Sequence, residues 1–143
     1  MDKILVSSCL LGNNTKYNGD NNYNSKIELL KNKYIIIPIC PEVMGGLSIP
    51  RDPSEINGDK VITINHKDVT KEFTLGASMV ADILNNNDIK FAVLKDGSPS
   101  CGVSYIYDGN FNHTKINSMG ITSRELAKRN IPLFTENDID KLL

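Results

Sequence analysis

Three short, mainly apolar runs, at 3–7, 34–39 and 90–94, punctuate the chain. Their shortness and β-branched content predict strands buried on both faces, because a half-exposed strand would alternate polar and apolar side chains. Between the second and third runs, Phe73, Leu75/Gly76, Met79/Val80 and Ile83/Leu84 recur every three to four residues, which predicts a helix over 70–86. Weaker signals add a short helix capped by Ser25 and running through Ile27, Leu29 and Leu30, and a strand over 59–64. Val103, Tyr105 and Tyr107 then alternate up to the turn signal Asp108-Gly109. Thr122 or Ser123 can cap a helix through Leu126 and Ala127, followed by a strand over 131–134 and a closing helix over 137–143. Pro38 and Pro41 predict that the second run stops without passing into a helix, and 41–58 reads as one long loop.

Strands that alternate with helices predict a single Rossmann-like, three-layer α/β domain over residues 1–143, with a mainly parallel sheet. A chain of 143 residues with 40% hydrophobic and 23% charged content is long enough for one such core. The apolar stretch Ile4-Leu5-Val6 is too short for a signal peptide or a membrane span, so a cytoplasmic location is expected.

Charge narrows the partners. Sixteen basic residues against 17 acidic ones give a net charge of −1, and Arg124, Lys128 and Arg129 are the nearest approach to a basic cluster. A solvated helix face explains those three better than a phosphate-binding surface does. A small-molecule partner is therefore favoured over nucleic acid.

Cys9, Cys40 and Cys101 change the picture most. Each stands just past the end of a predicted buried strand, and in a parallel sheet the carboxyl ends of the strands lie along one edge, where ligands bind. Three strand-end loops would thus bring the thiols together despite separations of 31 and 61 residues. An odd number of cysteines in a reducing compartment argues against a disulfide framework. Core filler, metal ligand and nucleophile are the remaining roles. Any single free cysteine is most often filler, but these three sit in polar loops crowded with Gly12, Gly45, Gly46, Gly97 and Gly102, where backbone N–H groups can approach an inorganic anion. No CxxC pair is present, which disfavours a structural zinc ribbon, although a catalytic three-cysteine zinc site remains open beside a cluster. If the thiols converge, Glu42, Ser98 and Ser100 face the same pocket, where a carboxylate can move protons and a hydroxyl can orient substrate or water. His66 and His113 lie outside these loops and receive no role.

Taken together, Ser8-Cys9-Leu-Leu-Gly12 with Tyr17 and Gly19, the run from Cys40 through Gly45-Gly46, Arg51 and Glu55-Ile56, and Lys95-x-x-Ser-Pro-Ser-Cys-Gly102 resemble the TudS-like thiouracil desulfurase family. Gly120-Ile-Thr, Glu125-Leu and Ile131-Pro-Leu-Phe extend the likeness over essentially the whole chain. The resemblance implies a [4Fe–4S] cluster held by Cys9, Cys40 and Cys101, with one iron open to a thiolated pyrimidine. It implies a non-redox exchange of sulfur for water, with Glu42 moving the water's proton and Ser98 positioning substrate. Ser100 and Arg51, inside the same motifs, are expected to bind substrate. A non-catalytic sulfur or cluster carrier and a Cys₃ zinc hydrolase are the alternatives. Tyr17-Asn18-Gly19 departs from the family's Tyr-Asp-Gly, with Asp20 as a substitute carboxylate. Longer relatives carry a second domain associated with thiolated tRNA; the sequence here stops at Leu143, which favours free bases or nucleosides as substrate.

Overall fold

The computed structural model describes all residues from Met1 to Leu143. The three apolar runs form strands β1 (Lys3–Ser7), β2 (Ile35–Ile39) and β5 (Ile89–Leu94), and a fourth, β8 (Leu133–Thr135), completes the sheet. Between and after them lie helices α1 (Ile27–Leu30), α2 (Pro41–Met44), α3 (Thr70–Asn86) and α4 (Ile121–Lys128), hairpin strands β3 (Ser54–Asn57) and β4 (Lys60–Thr63), and ribbon strands β6 (Ile106–Tyr107) and β7 (Lys115–Ile116). The sheet order is β2-β1-β5-β8 and every pairing in it is parallel.

Burial on both faces explains the apolar runs of β1 and β5, whereas the run of β2 was expected to be buried but lies at the sheet edge, where Ile35 and Pro38 are exposed. Ile4, Val6, Phe91 and Val93 point to one face and pack with Leu10, Ile27, Leu30, Tyr34 and Ile139. Leu5, Ala92 and Leu94 point to the other and pack with Val80 of α3 and Leu126 of α4. The expected three-layer α/β arrangement is what forms, and no helix is long and apolar enough to cross a membrane.

Several expectations are revised. Neither Ser25 nor Thr122 or Ser123 caps a helix; α1 starts after Lys26 and α4 after Gly120, both without a side-chain cap. Pro41 does not end regular structure; it opens α2, because the first helical position needs no N–H and favours proline's fixed φ. The stretch 41–58 is not a single loop either, since Ser54–Asn57 pairs antiparallel with Lys60–Thr63 around a two-residue turn where Gly58 takes φ 66°. The half-polar Ser-Glu-Ile-Asn pattern concealed that strand. The alternation over Val103, Tyr105 and Tyr107 yields only the two-residue β6, because the Asp96 carboxylate takes the N–H groups of residues 103, 104 and 105. Finally, the closing segment is a 3₁₀ helix, Glu136–Lys141, opened by a capping box between Thr135 and Asp138.

Two glycines set how α2 meets α3. A Cβ on Gly76, in the middle of α3, would collide with the Pro41 carbonyl, and one on Gly45 would collide with the Glu72 carbonyl. Backbone therefore rests directly on backbone, and Cys40 and Glu42 take their positions from that contact. Gly76→Ala should cost about 2–3 kcal/mol by overpacking, read as a melting-temperature drop on the order of 5–10 °C. An unchanged melting curve would show that α2 can lift off α3 freely.

Candidate active site

Parallel pairing levels the strand ends: Ser7 stands opposite Ile39, and Val6 opposite both Pro38 and Val93. A cavity of about 480 Å³ opens at this edge, and Cys9, Cys40 and Cys101 all line it together with Glu42, Arg51, Ser98 and Ser100. Every residue singled out from the sequence as a site residue thus reaches one cavity. Asp20 does not; its carboxylate accepts the Asn21 N–H on the exposed loop.

Each thiol is placed differently. Cys9 follows β1 in a 3₁₀ turn, Ser8–Leu11, and its sulfur accepts a hydrogen bond from Asn22 Nδ2 at 3.3 Å. Burial pushes its pKa up, against the pull of the Asn22 amide. Cys40 immediately precedes α2 and donates to the Thr15 carbonyl at 3.9 Å. Cys101, only 4% exposed, has its pKa pushed up to about 12 by burial, with a hydroxyl hydrogen bond from Ser7 opposing. None of the three is in a disulfide.

The loop that carries Cys101 is built from backbone. Asp96, 5% exposed, accepts N–H bonds from Gly97, Val103, Ser104 and Tyr105 at 2.9–3.3 Å on a single oxygen, Oδ1. Burial alone would raise its pKa, but these donors hold it below the usual carboxylate range. On the far side of the loop, the first N–H groups of α4 find acceptors: Ile121 bonds to Pro99 O, and Thr122 and Ser123 to Ser100 O. Gly120 N–H bonds to Gly102 O, and a Cβ on Gly120 would strike the Ser100 carbonyl carbon. The orphan donors of a helix start and the orphan carbonyls of a loop satisfy one another.

Glu42 is clamped from two sides. Arg51 Nε donates to Oε1 at 3.1 Å and the Ser100 hydroxyl donates to Oε2 at 2.9 Å. Ser100 has one hydroxyl hydrogen, and with it on Glu42 the 3.0 Å contact between Ser98 Oγ and Ser100 Oγ must be donated by Ser98. Ser98 Oγ also accepts from the N–H groups of Ser100 and Cys101. The hydroxyls therefore run one way, from Ser98 through Ser100 to the carboxylate.

Several lining residues escaped the sequence. Lys95 reaches Glu136 at 3.0 Å; burial would lower its pKa, but the Glu136 hydrogen bond and charge raise it, so it stays cationic beside Cys9. Tyr105, Tyr107, Phe111 and His113 form an aromatic part of the lining, with Phe111 and His113 at φ 53° and 62°. Glu55 Oε1 pins this segment by accepting the Gly109 and Phe111 N–H groups. Lys95 opens the motif that ends at Gly102, a signal that could have placed it in the site; the aromatic wall depends on the β6–β7 ribbon, and the alternation through Tyr105 and Tyr107 did not show that it would line the cavity.

The donors suit a cluster in kind: three free thiols on one wall, one already receiving an N–H···S bond. No three His, Cys, Asp or Glu side chains gather closely enough to hold a single metal ion. A lone zinc would need its thiolates drawn to roughly 2.3 Å from one point, closer than this arrangement brings them.

Asp96 ties stability to acid. Its folded pKa is depressed, so its contribution is fully present above the unfolded value near 4 and is lost as pH falls through the folded value. Asp96→Asn should cost about 1–2 kcal/mol near pH 7, and the difference from wild type in urea titrations should shrink toward pH 3. A difference independent of pH would contradict this.

Comparison with known proteins agrees with this geometry. Residues 4–138 match the family model described as 2-thiouracil desulfurase. The uncharacterized protein YbbK of Bacillus subtilis (strain 168) is 35% identical over 150 residues, covering 98% of this chain and 99% of the relative. A solved structure, the [4Fe–4S]-dependent thiouracil desulfidase TudS, superposes with a TM-score of 0.93 at 38% identity, covering 99% of this chain and 95% of that one. On its sequence match, its fold and the thiols its strand ends bring to one cavity, the chain belongs to the 2-thiouracil desulfurase family.

Proposed function

We propose that the chain, acting as one desulfurase domain, converts a thiolated pyrimidine base or nucleoside to its oxygen counterpart, thiouracil to uracil plus sulfide, without net oxidation or reduction. The observation that carries this reading is the cavity: three free thiols from three strand ends beside a carboxylate clamped between a guanidinium and a hydroxyl. Cys9, Cys40 and Cys101 would hold a [4Fe–4S] cluster with one iron lacking a protein ligand. When bound, it supplies a Lewis acid that accepts the thiocarbonyl sulfur as it leaves carbon.

The chain's own residues supply position and proton transfer. Water's oxygen takes the place of sulfur on carbon, and both water protons depart with the sulfur as hydrogen sulfide. Glu42 would take the first of those protons, since each carboxylate oxygen retains a lone pair beyond the one bonded to Arg51 or Ser100. Ser98 would help by fixing the Ser100 and Cys101 backbone along the cavity, its hydroxyl being engaged with Ser100. Ser100 would position substrate through the same network. The net charge of −1 supports a small substrate over nucleic acid, and three unpaired thiols suit a cytoplasmic setting.

Protein purified without air should contain iron and labile sulfide and should abolish the thiouracil absorption band. Full activity from metal-free protein would overturn the proposal, and zinc without a visible chromophore would point to the hydrolase alternative. Glu42→Gln separates enzyme from carrier: turnover should fall about 10²–10⁴-fold with iron content kept, whereas a carrier would be indifferent to the change.

A further inference from the structure

We infer that Arg51 is a positioning residue, which holds the Glu42 carboxylate in place and does not itself bind substrate. The inference rests on the desulfuration reading above and assigns Arg51 a role different from the substrate contact that its motif suggests.

Arg51 is almost wholly enclosed. Its side chain is 8% exposed and its ion-pair partner Glu42 15%. All three guanidinium nitrogens have fixed acceptors: Nε donates to Glu42 Oε1 at 3.1 Å, one terminal nitrogen to the Ser48 carbonyl at 3.2 Å, and the other to the Thr15 carbonyl at 2.8 Å. The Arg51 backbone N–H donates to Tyr17 O at 2.7 Å, so the residue is tied at both ends. A planar fork with fixed donors is suited to this; a lysine ammonium on a flexible stem cannot serve three acceptors spread over one plane. A guanidinium recruited by substrate would need donors aimed into open space. Here three of the five N–H donors, one on each nitrogen, are held by protein oxygens from three segments.

What those segments carry makes the placement matter. Glu42 lies on α2, two residues after Cys40. Thr15, which accepts from both Arg51 and Cys40 Sγ, lies on the loop that also brings Asn22 to Cys9. Ser100 holds the other oxygen of Glu42 from the Cys101 loop. With both arms in place the carboxylate has little freedom to rotate. With the Arg51 arm removed, Glu42 pivots on Ser100, and the oxygen meant for water loses its direction. Such a loss slows the chemical step and leaves substrate affinity alone.

The experiment compares wild type, Arg51→Lys, Arg51→Ala, Ser100→Ala and the Arg51→Ala/Ser100→Ala double variant, all purified anaerobically. Iron, labile sulfide, melting temperature and thiouracil kinetics are measured on each preparation. The expected result is a kcat lower by roughly 10–100-fold in Arg51→Ala, with KM within about twofold of wild type, and unchanged iron content. Arg51→Lys should recover only part of the loss. Guanidinium ion added to Arg51→Ala should restore turnover in a saturable way, which a general loosening of the fold would not allow. Because the two arms act on one carboxylate, the double variant should lose less than the two single losses multiplied. A KM raised tenfold or more at unchanged kcat would overturn the inference in favour of substrate binding. Iron loss in Arg51→Ala without guanidinium rescue would overturn it in favour of scaffolding. Failure of the desulfuration reading is distinguishable, because wild type itself would then lack cluster or turnover.

Discussion

Parallel pairing of β1 with β2 on one side and β5 on the other is the constraint on which the site depends. It levels three strand ends within neighbouring strand spacings, and each loop leaving that edge brings one thiol. No side-chain interaction draws the cysteines together across 92 residues of chain from Cys9 to Cys101; the ladder does. The segments beyond the strand ends only adjust the thiols: a 3₁₀ turn for Cys9, the approach to α2 for Cys40, and the Asp96-bound loop for Cys101.

Hydrogen-bond accounting completes the cavity. Asp96 Oδ1 gathers four N–H donors, the start of α4 meets the carbonyls of the Pro99–Gly102 stretch, and Glu42 receives one donor on each oxygen. These are burials of polar groups that would be costly if unpaired. Each also fixes the position of a group that lines the cavity. The carboxylate, the hydroxyl pair and the thiols are ordered by the same bonds that stabilise the loops.

The core of this was legible from residue pattern alone. Strands buried on both faces write themselves as unbroken apolar runs, and a 17-residue amphipathic helix repeats often enough to be read. The convergence of Cys9, Cys40 and Cys101 came from those strands, and Glu42, Ser98, Ser100 and Arg51 came from their nearness to the thiols or from the motif. Elements set by backbone were not legible. Pro41 looked like a terminator because a first-turn proline and a stop signal share a residue type, and β3 was hidden by its polar half. Asp96, whose single oxygen cancels the strand that Val103, Tyr105 and Tyr107 suggested, gave no sign in sequence that it would reach three residues so far ahead. His113 reached the cavity only through the ribbon that turns at Asp108-Gly109.

The glycine seats divide the cavity into two kinds of wall. Where Gly76 meets Pro41 and Gly120 meets Ser100, main chain lies on main chain, and no exchange of side chains can retune the spacing by small steps. The wall of Tyr105, Tyr107, Phe111 and His113 is made of side chains hung on a short ribbon, where one substitution changes shape without moving the frame. A substitution in the aromatic wall therefore reshapes the cavity locally, while one at a glycine seat shifts the thiols and the carboxylate together.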